Sequence, residues 1–546
     1  VTKHFDILAL PQKKLIKAQN GQSIMYALSE EGIFLRADCG GQGRCTKCAV
    51  KIAEVTSKNA LDNIGEHDKA KLKESFRDGL ACQEVVTQNL VVDIPLAAGL
   101  SPEVTPQPKV SDTLISRIAG YSKNIGPVSE RGLAVDLGTT SIAVYLCDLS
   151  QGVIDGSVSL KNPQILFGSD VMSRITAMAE NPMVLKRLQQ IVVRAIDLGI
   201  KKLCYSMENY NTQQLKKVTV VGNPTMLHLL LGIDPSSIGE APYVPQFYDM
   251  QKVYAGQLGF DFNVDAEILT LPLISGFLGA DIIAAALAVD LKKAPFDTIL
   301  ADVGTNGELM ASGKQSMVAT SCATGPALEG AIIQHGMQAV SGAISEVSID
   351  RQTGKCTCLV KGNQKPSGIC GSGIISAVAE LLRADIILSD GRFDQGLEIE
   401  QLRLNPDQIP EFVLVPERES DIGEAITLTQ ADIRNVQLAK GAFRTGIDLL
   451  CEHIGVEIPR QLLVAGAFGN YIGKEDALTI GMFPPMPEEN IQIVGNAAGE
   501  GAILTLFDPQ SLIEAQNLAK TTQVIDLSCH ENFQDHFVDS LSFPES

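Results

Sequence analysis

The octapeptide Leu133-Ala134-Val135-Asp136-Leu137-Gly138-Thr139-Thr140 returns as Ile299-Leu300-Ala301-Asp302-Val303-Gly304-Thr305-Asn306, 166 positions downstream. Each copy is an apolar run of strand character that delivers an aspartate, one apolar residue, then Gly-Thr and a polar residue. A single Asp-x-Gly-Thr carries little weight, because Asp and Gly also make ordinary turns. Two copies on matching strands carry much more. Their separation is too long for a short solenoid repeat and suits two related half-domains. A third segment, Leu462-Leu463-Val464-Ala465-Gly466-Ala467-Phe468-Gly469-Asn470, is another apolar strand entering a turn of small residues.

These residue types point to phosphate chemistry. A carboxylate after the strand suits Mg2+, glycine lets the backbone close on a phosphate, and hydroxyl and N–H groups donate to it. The small-residue turn lets a purine and ribose lie against backbone. Around these turns, strand runs alternate with long helical patterns such as 184–206 and 276–291, an α/β signature. No G-x4-G-K-[ST] phosphate loop and no G-x-S-x-G serine elbow occurs in the chain.

Working toward the N-terminus, Pro102, Pro106, Pro108 and Pro127 mark residues 96–130 as a linker, with room for a short helix near 112–119. Residues 1–95 hold short alternating runs (5–10, 48–55, 90–94) and one helix signal at 23–31, the pattern of a small mixed module. Four of the twelve cysteines fall there, as Cys39-x5-Cys45-x2-Cys48 and Cys82. A [2Fe–2S] cluster needs four thiolates and a backbone able to wrap around bridging sulfides. Gly40, Gly41 and Gly43 supply that freedom. Structural zinc is the chief rival, but it more often pairs two C-x2-C knuckles, and only one is present. Arg36, Arg44, Lys47 and Lys51 make the loop locally basic, either a docking face for an acidic electron donor or a solvated cluster.

The composition excludes other classes. Of 546 residues, 45% are hydrophobic and 20% charged, so the chain is globular and not disordered. Lys plus Arg is 44 against 64 Asp plus Glu, a net charge of -20 that repels phosphate backbones and anionic lipid. The longest apolar stretch, 278–287, is short and contains Asp281, and residues 1–5 do not read as a signal peptide. The expectation is a cytoplasmic protein binding neither nucleic acid nor membrane.

The first 95 residues resemble adrenodoxin-type and plant-type ferredoxins. That resemblance implies a β-grasp fold in which Cys39 and Cys45 bind one iron and Cys48 and Cys82 the other. Residues 131–505 resemble the acetate and sugar kinase, Hsp70 and actin superfamily, in which ATP lies between two RNase H-like halves. Carried over, Asp136 and Asp302 hold Mg2+. Gly138, Thr139, Thr140, Gly304, Thr305 and Asn306 contact phosphate, and Gly466, Ala467 and Gly469 flank adenosine. Two further turns are candidates for the cleft, Asn223 with Thr225 after the strand 218–221, and Gly371-Ser372-Gly373 opening a helix. A plain strand-to-helix turn fits each equally well. The turns at 325–330 and 495–499 read as helix packing, and the histidines, His228 and His335 among them, as structural.

The whole chain is similar to the reductive activators of corrinoid proteins, in its [2Fe–2S] rather than [4Fe–4S] form. The resemblance implies a ferredoxin-like domain at 1–95, a linker at 96–130, a middle domain at 131–207 and an ATPase domain at 208–546. It also implies a homodimer, an upstream low-potential electron donor, an anaerobic methyl-transfer system, and ATP-dependent reduction of a partner's Co(II) to Co(I). Two alternatives stay open: an ATP-driven donor of the 2-hydroxyacyl-CoA dehydratase activator kind, and a redox-sensing scaffold that does not hydrolyse ATP.

Overall fold

In the computed structural model the described residues are 3–37, 41, 43, 46–55, 75–100, 102–119, 130–207, 211–304, 306–314, 316–330, 332–351, 353–362, 364–466, 469 and 472–545. They fall into two units. The first comprises Val1–Lys109, Tyr121–Phe247 and Gln251–Thr270, and the second Val110–Gly120, Tyr248–Met250 and Leu271–Ser546.

The first unit opens with β1 (His4–Leu10), β2 (Lys14–Gln19), α1 (Ile24–Glu30), β3 (Ala49–Val55), β4 (Arg77–Leu80) and β5 (Asn89–Asp93). The sheet order is β2-β1-β5-β3-β4, with β1 and β5 parallel and the other pairs antiparallel. This is the expected β-grasp. Alternation explains it: Ile16 and Ala18 of β2 are buried while their neighbours are exposed. Ile7, Ile24, Leu28, Val50, Ile52 and Val92 close the core beneath α1. Ser23 begins the helix, its side chain accepting from the Tyr26 N–H.

The same unit holds a second sheet, with strands β6 (Glu103–Thr105), β7 (Arg131–Leu137), β8 (Ser141–Asp148), β9 (Val153–Lys161), β10 (Leu215–Gly222), β11 (Lys252–Tyr254) and β12 (Glu267–Thr270). Their order is β11-β12-β10-β7-β8-β9-β6. Its longer helices are α3 (Val171–Glu180), α4 (Met183–Tyr205) and α5 (Pro224–Leu231). Strand β10 pairs in parallel with β7. The sheet therefore runs across the division expected at residue 207, and the unit continues to Thr270. The segment expected to be a linker with a short helix also supplies edge strand β6, paired with β9.

That segment also contains α2 (Asp112–Ala119), the short helix expected there, which belongs to the second unit. Ser111 donates from its N–H and hydroxyl to the Glu500 carboxylate at 2.7 and 2.5 Å, and Arg117 donates to the Leu287 carbonyl at 2.8 Å. The second unit continues with α6 (Ala280–Ala288), β13 (Thr298–Val303), β14 (Gly307–Ser312) and β15 (Met317–Cys322). Then come β16 (Ala343–Ile349), β17 (Cys356–Val360), β18 (Gly368–Ile369), α7 (Gly371–Arg383), β19 (Leu402–Leu404), β20 (Pro410–Val415), β21 (Ile426–Thr429) and α8 (Gln430–Ile454). It ends with β22 (Gln461–Ala465), β23 (Ile491–Gly495), α9 (Ala497–Phe507), α10 (Pro509–Thr521), β24 (Gln523–Val524) and α11 (Phe533–Leu541).

Its main sheet has the order β23-β22-β13-β14-β15-β24. Two smaller sheets, β17-β16-β18 and β19-β20-β21, flank the chain between β15 and α8. In the main sheet β13, β14 and β15 form an antiparallel meander, β22 runs parallel to β13, and β23 parallel to β22. The first unit repeats that plan strand for strand, with β7, β8 and β9, then β10, then β12. The duplication legible in the octapeptides is thus a duplication of topology. Among the described residues no helix is long and apolar enough to cross a membrane.

Candidate functional site

The cysteine loop lies between α1 and β3. Cys39, Gly40 and Cys45 fall outside the described residues, so the geometry rests on Cys48 and Cys82. Their sulfurs stand 3.4 Å apart and neither forms a disulfide. Two thiolates on one tetrahedral metal with bonds of about 2.3 Å lie about 3.8 Å apart. The pair stands about 0.4 Å closer than that, near enough for one metal ion to take both sulfurs, and the ferredoxin resemblance implies that the metal is iron. Gly41 and Gly43 have φ of +82° and +77°, which favours glycine. The Gln83 amide steadies the loop by donating to the Gly41 carbonyl at 3.2 Å and to the Cys82 sulfur at 3.7 Å.

The first Asp-x-Gly-Thr turn joins β7 to β8, with Asp136 opposite Ala143. All three turn carbonyls are held from the protein side. Gly138 accepts from the Asn162 side-chain amide at 2.9 Å, Thr139 from Arg174 at 2.6 Å, and Thr140 from the Asn162 backbone N–H at 2.8 Å. The Thr139 hydroxyl accepts from the Asn223 side-chain amide at 2.9 Å. Asn223 also caps α5, accepting from the Met226 N–H at 3.0 Å. Asn223 therefore joins this turn to the start of α5. Thr225 is buried within the first turn of α5.

Arg174 has no solvent exposure. Its guanidinium donates to the carbonyls of Gly168 and Thr139 and to the Gln164 amide oxygen, all uncharged acceptors. Burial depresses its pKa to about 9. Neither Arg174 nor Asn162 is among the residues picked out from sequence. A signal existed for the arginine, which occupies the stripe Val171, Ile175, Met178 that α3 buries.

The second turn joins β13 to β14. The Thr324 hydroxyl donates to the Gly304 carbonyl at 3.2 Å, the counterpart of Asn162 on Gly138. Asn306 is described and half-buried, whereas Thr305 lies outside the described residues. Asp302 sits opposite Glu308. Burial first, then the charges of Asp281 and Asp302, push the Glu308 carboxyl well above the ordinary range.

The small-residue turn after β22 meets the second one. Gly466 has φ +98°, and a Cβ there would stand 2.6 Å from Asp302 Oδ1 and 2.8 Å from the Val303 carbonyl oxygen. Only glycine fits so close to that carboxylate. Gly469 lies against Val464, and Ala467 is outside the described residues. Gly371 and Ser372 open α7 as expected, but the Ser372 hydroxyl donates to the Ser345 carbonyl at 3.1 Å. A Cβ on Gly373 would sit 2.3 Å from the Ile344 carbonyl oxygen. That turn packs α7 onto β16. His228 is buried, accepts from the Gln246 N–H at 3.0 Å and stacks on Phe247, a structural role.

Three families match in succession: "2Fe-2S iron-sulfur cluster binding domain" over residues 8–87, "RACo middle region" over 131–294, and "C-terminal domain of RACo the ASKHA domain" over 297–546. The chain is 29% identical over 568 residues to "Corrinoid activation enzyme RamQ" of Eubacterium limosum, covering 94% of this chain and 95% of that one. It is 24% identical over 446 residues to "[Co(II) methylated amine-specific corrinoid protein] reductase" of Methanosarcina barkeri, covering 76% and 77%. A solved structure described as "Reductive activator for corrinoid,iron-sulfur protein" superposes with a TM-score of 0.70 at 28% identity, over 99% and 98% of the two chains.

Proposed function

The chain belongs to the RACo family, and from that premise we propose that it uses ATP to drive one electron onto a partner corrinoid protein, taking inactive Co(II) to Co(I). The observation that carries this reading is the correspondence with RamQ over 94% of the chain, iron–sulfur domain and ASKHA region included. When bound at Cys39, Cys45, Cys48 and Cys82, a [2Fe–2S] cluster supplies a single electron at low potential, about -400 mV in plant-type ferredoxins. The four thiolates hold it, and Gln83 fixes the loop beside Cys82.

Asp136 and Asp302 hold Mg2+ with its nucleotide in this reading, and Gly138, Thr139, Thr140, Gly304, Thr305 and Asn306 receive the phosphates. Asn162, Arg174 and Thr324 bind the turn carbonyls and so leave the turns set before nucleotide arrives. Gly466 keeps the adenosine side open next to Asp302. ATP is needed because moving one electron 100 mV uphill costs about 2.3 kcal/mol. Nucleotide meets that cost only if it binds two states of the protein with different affinity. A homodimer, a separate low-potential donor and a cytoplasmic setting complete the proposal.

The test is anaerobic. Reconstituted protein, a Co(II) corrinoid protein and a reductant are mixed with and without Mg-ATP, and the Co(I) absorption is followed. Co(I) should form only with ATP. If none forms while cluster and nucleotide are both bound, the assignment is lost.

A further inference from the structure

The first unit carries a continuous path from the Gly138–Thr140 turn to the cysteine loop, and its centre is the 3-10 turn Pro163–Phe167. Both flanks of that turn are tied to the nucleotide side. Asn162, before it, holds the Gly138 and Thr140 carbonyls. Gly168, after it, shares Arg174 with Thr139, and Gln164 within it accepts from both Asn162 and Arg174. Its other face belongs to the ferredoxin core. Ile165, Leu166 and Phe167 pack into the hydrophobic cluster that includes Cys48 and Cys82. The Tyr26 hydroxyl donates to the Leu166 carbonyl at 2.5 Å, and its ring tilts against Phe167 at 5.1 Å. A Cβ placed on Gly41 would lie 3.9 Å from Leu166 Cδ2 and 3.8 Å from Cys82 Cβ.

We propose that the 163–167 turn couples the two sites, so that nucleotide at the Gly138–Thr140 turn and the redox state of the cluster bias each other through Arg174, Leu166 and Tyr26. The cost of burying an arginine among uncharged acceptors is large, and what this one secures is the tie between Thr139 and Gly168. Packed segments of this kind switch between discrete arrangements and do not deform smoothly, so a small shift of the Thr139 carbonyl is passed on to Leu166. Tyr26 and Arg174 are positioning residues here, acting through the Leu166 and Thr139 carbonyls.

Coupling between sites is reciprocal and ordinarily worth about 5- to 150-fold in affinity. The inference rests on the reading of the chain as a nucleotide-driven electron donor, and the test separates the two. Using the full reconstituted chain, the Kd of a non-hydrolysable ATP analogue is measured calorimetrically with the cluster oxidised and with it reduced. In the unaltered protein the two values should differ by about fivefold or more. Tyr26→Phe keeps the ring on Phe167 but removes the bond to Leu166, and should bring the ratio close to one while the oxidised-state Kd is retained. Arg174→Lys should lower the ratio as well, with nucleotide-induced changes in the cluster's visible circular dichroism lost in parallel. A ratio of one in the unaltered protein, or an undiminished ratio in Tyr26→Phe, overturns the coupling path. Neither result touches ATP-dependent Co(I) formation by the unaltered protein, which alone decides the functional reading.

Discussion

The Asn223 side-chain amide spends its two ends on two different structures: its oxygen caps α5 at Met226 and its nitrogen donates to the Thr139 hydroxyl at 2.9 Å. One residue thereby registers a helix start against the first Asp-x-Gly-Thr turn. Asn223→Asp separates the roles, because a carboxylate still accepts from the Met226 N–H but offers no N–H to Thr139. It also places a negative charge beside the turn assigned to phosphate. Thermal stability should be nearly retained, and calorimetry should show nucleotide affinity reduced by about tenfold or more, equivalent to about 1.4 kcal/mol. Unchanged affinity would remove Asn223 from the site.

Gly466→Ala tests the second half. The new Cβ would meet Asp302 Oδ1 at 2.6 Å in a backbone conformation at φ +98°. Strain of that kind costs about 1–3 kcal/mol. Urea denaturation should show a loss of that order, and nucleotide binding should weaken more than stability does. The same affinity as the unaltered protein would place adenosine elsewhere.

Cys82→Ala removes one of two sulfurs standing 3.4 Å apart. The visible absorption of the cluster should be lost after reconstitution, and analogue binding should persist. Simultaneous loss of both would mark a folding failure and leave the ligand assignment of Cys82 unsupported.

Lys440 supplies the pH prediction. It is buried, its ammonium donates to the Ser542 carbonyl at 2.5 Å, and burial lowers its pKa from 10.5 to about 7. The unfolded chain keeps this proton up to the ordinary lysine range, whereas the folded protein gives it up above about 7. Between those values the unfolded state binds more protons, so stability rises with pH, by up to about 1.4 kcal/mol per unit from this group. Below pH 7 the contribution is flat. Lys440→Met should remove that slope, so urea curves from pH 7 to 9 should steepen in pH dependence only for the unaltered protein. Parallel profiles would show that Lys440 stays charged when folded.

The local features of this fold were readable because local patterns encode them. Period-two burial marks β2, a regular apolar stripe marks α4, and the paired octapeptides fall on β7 and β13 with their turns where they were expected. What failed was non-local. Strand β10 begins eight residues past the expected division at 207, yet its partner β7 begins at Arg131, and nothing along the chain announces that pairing. Ser372 presents the same difficulty at smaller scale. Its glycine-flanked helix start matches an anion site by sequence, and only the proximity of β16 reveals that its hydroxyl is already engaged. Arg174 sits between these cases, visible as a charge in an apolar stripe but with no hint of the carbonyl it would hold.

The bond from Ser111 to Glu500 bears on how this molecule can be taken apart. An expression fragment begun at Gly132, the obvious cut for isolating the ATPase region, would discard α2 and with it both donors to that carboxylate. Glu500 is 7% exposed in the intact chain, so the truncated product would lose the donors to that acid and bare a strip of α9 that invites aggregation. Fragments opening at Val110 would keep that plug in place.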